Sequence, residues 1–400
     1  MDRNKVLDGI RVIDIAQFKA GPTCAQILAD MGAEVIRVER PGGNADRDLP
    51  PYAPNGQSIY LSSTCRNKKG VTMDLRKEKG KEIFQKLVKQ SDVVVESFGP
   101  VANKKVGVNY QHLKQIKNDI IVVSLSAFGQ NGPYAHRLGF DAIAQAMSGL
   151  MWVTGFPEED KPIRLGVSFT DIAAGIYGAL GTLLALRYRD KTGMGQLVDV
   201  SLLDTAVSFT ESIWSEFKIA KQIRPKVGNA NVLAAPYDAF KAKDGWVFIG
   251  TATPRQWESL CKITGKEELT NDRRFQTIKD RCKPESIRFF SDWLGRWTAG
   301  KTVNEVVEQL NKSGIPCGPI NTVTQAFSDP QIRARDMIVE FNRPGIGEIP
   351  LVGIPIKLSE TPGEIRFLDP AIGEHNEEIY GKLLGLIPEQ ISQLKEEGVI

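Results

Sequence analysis

Four hundred residues with 42% hydrophobic and 25% charged composition are too much chain for one average core and too apolar for disorder, so two compact units are expected. A formal net charge of only +3 provides no global field for nucleic acid or an anionic membrane surface, so any role of the basic residues is local. Five scattered cysteines without a CxxC pair, and histidines (His112, His136, His375) that fit no metal-ligand spacing, predict reduced thiols in a cytoplasmic protein with neither a disulfide frame nor a zinc site.

The opening, MDRNKVLDGIRVIDIA, carries charges where a signal peptide has its apolar centre, so no export signal is expected. The chain then reads strand, turn, helix, strand: Arg11 to Ile15, the turn Ala20-Gly21-Pro22, a helix over Thr23 to Met31, and a strand over Glu34 to Glu39. Pro22 suits a first helical turn and Gly32 the residue past a helix end. Such a βαβ unit predicts parallel pairing with a right-handed crossover. A helix over Lys79 to Gln90, a strand at Asp92 to Glu96 and a nearly all-apolar strand at Ile120 to Leu125 continue the alternation; strands that apolar are covered on both faces in doubly wound sheets. Helices near Asp141 to Ser148 and Asp171 to Arg187 and a strand at Gln196 to Val200 come next. The apolar run Ile172 to Leu186 has 15 residues, short of the roughly 20 that a membrane span needs, and reads as a buried helix.

After about Ile219 the segment KQIRPKVGNAN has linker composition. AAPYDAFKAKDGWVFIG then predicts a hairpin turning at Asp244-Gly245, with helices near Arg255 to Ile263, Pro284 to Trp297 and Val303 to Lys312. The expected organisation is a large domain over 1–219, a small α/β domain over 220–328, a Pro- and Gly-rich return connection over 329–370, and final helices over 371–400 that rejoin the large domain.

Candidate chemistry is sparse. AGPTCAQ in the first βα turn is not GxGxxG and its Pro removes a backbone donor, which argues against a nicotinamide cofactor even with Glu39 at the end of the second strand. Arg40, in VERPGG at the carboxyl end of that strand, can grip a phosphate through its fork of donors, or simply be solvated. Asp171 stands before the helix DIAAGIYGALGTLLAL and reads as its N-cap; the same helix terminus would favour the ionised carboxylate, a competent nucleophile toward a thioester. Gly175, Gly178 and Gly181 share one face and predict close packing on a neighbour. AFGQNGPY, from Ala127 to Tyr134, lies where open α/β sheets bind ligands and also suits a plain loop. Lys68, Lys69 and Arg76 are too diffuse to argue for nucleic acid.

Taken in order, LDGIRVIDIA, AGPTCAQILADMGAEVIRVERPGG, NKKGVTMDL, DVVVESFGP, GFDAIAQAMSGLM, the block from Thr170 to Gly195 with its KTGMGQ, GIPCGPI and a terminal GEH resemble the class III CoA-transferases, the family of formyl-CoA and carnitine CoA-transferases, over nearly the whole chain. The resemblance implies an α/β fold with a large doubly wound Rossmann-like domain and a smaller α/β domain, joined by two linkers into an open ring that interlocks with a second protomer. It implies no tightly bound cofactor, with coenzyme A or acyl-CoA and a free carboxylic acid as substrates. The family's nucleophilic aspartate corresponds to Asp171. Positions matching its CoA contacts are Lys19, Arg40, Met73, Asp74, Leu75, Arg76, Ser97, Phe98, Lys105, and Leu138, Gly139, Phe140 and Asp141. Lys19 and Lys105 depart from the Gln and Arg of some relatives, and a lysine lacks the bidentate grip of arginine. GNANVLAAPY, Gly228 to Tyr237, stands where formyl-CoA transferases carry a glycine-run loop, so oxalate-type chemistry is not supported and the acceptor acid stays open.

Two rivals share these features. An acyl-CoA racemase of the same fold needs two bases, and the His that its relatives place before the Asp is here Phe140, which removes half of the proton exchange. A non-catalytic CoA-binding protein would have no use for a carboxylate at Asp171.

Overall fold

In the computed structural model, which describes residues 5–400, six strands pair into one sheet. These are β1 (Arg11–Asp14), β2 (Glu34–Glu39), β3 (Lys68–Thr72), β4 (Val93–Glu96), β5 (Ile121–Ser126) and β6 (Leu197–Ser201), in the order β3-β2-β1-β4-β5-β6. Every pairing is parallel. Helices α1 (Ala20–Asp30), α2 (Glu78–Lys89), α3 (Pro100–Val106), α4 (Tyr110–Ile116), α5 (Asp141–Met147), α6 (Leu150–Val153), α7 (Phe169–Thr192) and α8 (Leu202–Ser208) alternate with them.

Because successive strand residues face opposite ways, each strand feeds two cores. Val12, Val35, Val93 and Val123 pack with Leu28 of α1 and Ala174 of α7 on one face. Ile13, Ile36, Val94 and Val122 pack with Phe84 and Leu87 of α2 and Leu113 of α4 on the other. The strand order reverses between β1 and β4, so the loops at their carboxyl ends diverge and leave a crevice there.

β3 is not predicted from the sequence, because its two lysines look solvated. Lys68 is instead fully buried, its Nζ 2.8 Å from Asp14 Oδ2 and donating to the Pro22 carbonyl at 2.8 Å. Lys69 pairs with Glu34 and Glu378.

The chain divides into two compact units: Met1–Leu150, Arg164–Trp214 and Ala334–Ile400 form the larger, Met151–Ile163 and Ser215–Arg333 the smaller. A single boundary near 220 therefore does not describe the division, since an earlier stretch also belongs to the smaller unit. There Gly228 N–H donates to the Gly155 carbonyl at 2.9 Å and Lys226 Nζ to the Glu159 carbonyl at 2.7 Å. The smaller unit carries the hairpin β7 (Tyr237–Lys241) and β8 (Trp246–Gly250), extended by β9 (Cys317–Pro319). Over it pack α9 (Pro254–Ile263), α10 (Pro284–Ala299) and α11 (Val303–Lys312), around Trp257, Phe290, Trp293 and Leu310.

The stretch expected to be a bare return connection contains the antiparallel hairpin β10 (Ile338–Arg343) and β11 (Gly347–Val352), both in the larger unit. A π-helical segment (Glu377–Leu383) and α12 (Pro388–Glu396) complete the chain, and Ile379, Tyr380 and Ile391 fill out the core on the α2 side.

Candidate active site

α7 begins two residues before Asp171, which the sequence pattern puts just outside it. Ser168 is the N-cap and makes no side-chain cap bond, so Asp171 is the third helical residue and not a cap. The capping work falls to Asp141, at the start of α5. Its Oδ1 accepts from Thr170 N–H at 2.8 Å and from Thr170 Oγ1 at 2.7 Å, and its Oδ2 accepts from Gln145 Nε2 at 2.8 Å. A remote carboxylate thus satisfies a free N–H of the first turn. No described residue donates a hydrogen bond to the carboxylate of Asp171, and the residue is only half-buried.

Its electrostatics also differ from expectation. Burial, reinforced by the neighbouring Asp141 and opposed by Lys19, pushes the Asp171 carboxyl up to about 6. Desolvation and a like charge outweigh the helix terminus here. The group remains ionised at neutral pH, yet is far more basic than a solvated carboxylate, and therefore a better nucleophile.

Lys19 reaches this neighbourhood through helix packing. A Cβ on Gly175 would stand 2.8 Å from the Ala20 carbonyl oxygen and 2.8 Å from Thr23 Cβ, and one on Gly178 would stand 3.1 Å from Cys24 Sγ. The glycines thus let α7 lie directly on α1, while Gly181 faces Val198 of β6. That contact brings the residue preceding α1 beside the first turn of α7. Burial lowers the Lys19 ammonium from its usual value, and Asp171 raises it. Its Nζ donates to Ser63 Oγ at 3.0 Å and lies 4.7 Å from the Tyr60 ring centroid.

The expected CoA contacts divide among several places. Arg40, Met73, Asp74, Leu75, Arg76 and Phe98 line one cavity of 360 Å³ at the β1/β4 crevice. Gln17, which sequence reasoning does not single out, lines it as well; its position three residues past β1, at the reversal of strand order, is the signal that could find it. Gln17 N–H donates to Ser97 Oγ at 3.0 Å, so Ser97 orders the loop. Phe18, at φ 65°, takes a left-handed conformation rare for a bulky residue, and its N–H donates to Asp46 Oδ2 at 3.2 Å. This turn separates Gln17 from Lys19, which lines a different cavity, of 430 Å³, with Tyr60 and Ser63. Lys105 lines a third, a groove between α2 and α4. Arg76 is already held by Asp74, with two contacts at 2.9 Å, which keeps that carboxyl at about 2. Leu138 and Phe140 are exposed, Phe140 edge-on to Phe18 at 6.2 Å. Gly139 sits so close to Ala127 that a Cβ would meet Ala127 Cβ at 2.8 Å.

The doubly wound sheet, the crevice at its switch point and the aspartate of raised pKa at the start of α7 are the features that bear on the chain's chemistry. The chain belongs to CoA-transferase family III, whose profile matches residues 7–376, and it is an enzyme of that class. It is 35% identical to the succinyl-CoA–D-citramalate CoA-transferase of Chloroflexus aurantiacus, covering 98% of both chains. It is 36% identical to the mouse succinyl-CoA:glutarate CoA-transferase, over 100% of this chain and 91% of the relative. With the formyl-CoA:oxalate CoA-transferase of Streptomyces coelicolor it shares 34% identity, over 99% of each. Among solved structures, a CAIB/BAIF family protein from Brucella suis superposes with a TM-score of 0.83 at 34% identity, over 95% of this chain and 100% of that one.

Proposed function

We propose that this enzyme transfers coenzyme A from an acyl donor to a free carboxylic acid through covalent intermediates on Asp171. The observation that carries this reading is a half-buried carboxylate at the start of α7, raised to about 6 and left free because Asp141 does the capping. The Asp171 carboxylate attacks the thioester carbonyl; the C–S bond breaks, leaving a mixed anhydride and CoA thiolate. The thiolate attacks the aspartyl carbonyl, releasing the donor acid and forming an aspartyl-CoA thioester. The acceptor carboxylate attacks that thioester, giving a second anhydride and the thiolate again. Attack of the thiolate on the acceptor's acyl carbon then yields the new acyl-CoA and regenerates Asp171. Acyl groups of comparable energy are exchanged at each step, so covalent catalysis suffices.

In this reading the nucleotide end of CoA occupies the crevice lined by Arg40, Met73, Leu75 and Phe98, and its binding energy retains the thiolate between steps. The 3′,5′-ADP portion offers phosphates to Arg40 and a flat base to the apolar side chains. Incubating the enzyme with an acyl-CoA and a labelled free acid tests the proposal: label should enter the CoA ester with the wild type and not with Asp171→Asn. Exchange of an α-hydrogen with solvent and no entry of label would mark a racemase instead.

We further infer a homodimer of interlocked protomers in the cytoplasm. Supporting it, the face of α7 opposite its glycines is apolar and unburied: Ile176, Leu180 and Leu184 are 53%, 49% and 64% exposed. A contiguous apolar surface of this kind on a soluble protein marks an association face, and a second copy is the partner that the family resemblance implies.

A further inference from the structure

Glu96, the last residue of β4, is a fully buried carboxylate at the switch point of the sheet that the cycle above does not use. In the register of the sheet it lies beside Ser124 of β5, and Ser124 beside Asp199 of β6, so one polar row crosses three strands near their carboxyl ends. Asn103 of α3, itself buried, closes the row into a ring. Its Nδ2 donates to Glu96 Oε1 at 3.3 Å and to Gln130 Oε1 at 2.8 Å, and Gln130 N–H donates to Asp199 Oδ2 at 3.0 Å. The other oxygen of Glu96 accepts from Phe98 N–H at 2.6 Å. No described cation forms an ion pair with Glu96. Asp14 of β1 faces the opposite side of the sheet, toward Lys68. Lys104 and Lys105 of α3, and His136 and Arg137 of the loop after β5, are exposed. Burial, with Asp199 adding a like charge, pushes the Glu96 carboxyl up to about 7 against the hydrogen bonds from Ser124, Phe98 and Asn103.

The ring is built for the ionised form. Each oxygen of Glu96 faces a donor: the backbone N–H of Phe98 cannot reverse, and the Asn103 amide reverses only by giving up Gln130. A proton on either oxygen therefore weakens or breaks the contact to Phe98 or to α3. Both contacts lead to the crevice, since Phe98 lines it and so does Val106, three residues beyond Asn103 on the same helix. Resting on the placement of the nucleotide end of CoA in that crevice, we propose that Glu96 is a positioning residue whose carboxylate holds Phe98 and α3 in the arrangement that CoA binds, so that a proton on Glu96 and CoA on the enzyme oppose each other. The proton favours the loosened wall and CoA the ordered one. By linkage, affinity for CoA rises as pH passes upward through about 7.

Equilibrium binding of free CoA to the full-length enzyme, followed by isothermal titration calorimetry, tests this role, because kcat/KM also carries the ionisation of Asp171. Kd for the wild type should be roughly 5- to 10-fold higher at pH 6 than at pH 8, beyond the change that Glu96→Gln shows from the ligand's own phosphate. Glu96→Gln keeps the shape and one acceptor but cannot ionise, so it should bind weakly at pH 8 and converge on the wild type at pH 6. A merely structural role would separate the two by the same factor at both pH values; that result overturns the inference, as does equal binding throughout. Asp199→Asn, at an exposed position, removes the like charge and serves where Glu96→Gln does not fold. Its affinity at pH 6 should exceed that of the wild type, and an unchanged pH dependence overturns the inference. Arg40→Ala separates this role from the reading on which it rests. If Arg40→Ala leaves Kd unchanged, the crevice is not the CoA site and both fall. If it weakens binding while Glu96→Gln runs parallel to the wild type, only the role of Glu96 falls.

Discussion

Asp141 accepts both the backbone N–H and the hydroxyl of Thr170, at 2.8 and 2.7 Å, and so fixes the helix turn that presents Asp171. The same carboxylate is a like charge beside Asp171, and the pair acts as one electrostatic unit with Lys19 opposing. Each substitution in this unit has a definite sign. The nucleophile is the ionised form, so kcat/KM should rise with pH through a limb near 6 in the wild type, where the Asp171 carboxyl titrates. Asp141→Asn removes the like charge and should move that limb to lower pH. Lys19→Met removes the cation and should move it to higher pH. A pH profile of kcat/KM reads the free enzyme and decides both; limbs that do not move in these opposite directions would contradict the electrostatics. Asp141→Asn also forces Gln145 to rearrange, since Gln145 Nε2 donates to Asp141, at an expected cost of about 1 kcal/mol in stability.

Arg40 lines the crevice assigned to the nucleotide end of CoA, and unlike Arg76 it makes no ion pair with a described carboxylate. Arg40→Ala should raise KM for acyl-CoA by roughly 10-fold or more, the loss of one charged phosphate contact, with little change in kcat. The wild type's KM should rise with ionic strength more steeply than the variant's. Initial-rate kinetics at two salt concentrations check this.

The α1–α7 contact carries a stability prediction linked to activity. At Gly175 a methyl group would meet the Ala20 carbonyl and Thr23, each at 2.8 Å, so Gly175→Ala must push the helices apart. Overpacking of this kind costs about 1–3 kcal/mol, and the displacement carries Asp171 away from Lys19. Both the midpoint of thermal unfolding and kcat should fall. Gly193→Ala, where nothing lies within 4 Å but φ is +71°, should cost stability through backbone strain and spare kcat, because it sits at the far end of the same helix.

The apolar face of α7 predicts the oligomeric state. Leu184→Glu places a charge where Leu184 is 64% exposed, a site that a monomer would tolerate with little loss. Light scattering after size exclusion should report a dimer for the wild type and a smaller or aggregated species for the variant. An unchanged dimer would mean that this face is not the interface.

Much of the fold is legible in the sequence because its signals are local. The βαβ opening, the apolar strands β4 and β5 and the Asp244-Gly245 hairpin each declare themselves within a few residues. What stays hidden depends on partners far along the chain. Lys68 and Lys69 make β3 look like a solvated loop until Asp14, Glu34 and Glu378 are seen to neutralise them. The β10–β11 hairpin lies within a stretch whose Pro and Gly content reads as connection. Asp171 looks like an N-cap because the acceptor that caps α7 comes from Asp141, 29 residues before Thr170. For the same reason the direction of its pKa shift cannot be read from position in a helix: burial and a like charge from far earlier in the chain override the terminus. Lys19 is legible as a residue of interest, but the turn at Phe18 that faces it into a separate cavity is not.

In the proposed cycle an acyl carbon becomes bonded to the carboxylate of Asp171. Mixing the enzyme with an acyl-CoA, quenching with hydroxylamine and mapping peptides by mass spectrometry tests that bond directly. The predicted result is a hydroxamate on the peptide containing Asp171, dependent on acyl-CoA and absent when free CoA replaces it. An unmodified Asp171 peptide in enzyme that is turning over, or a hydroxamate on a different carboxylate, would contradict it.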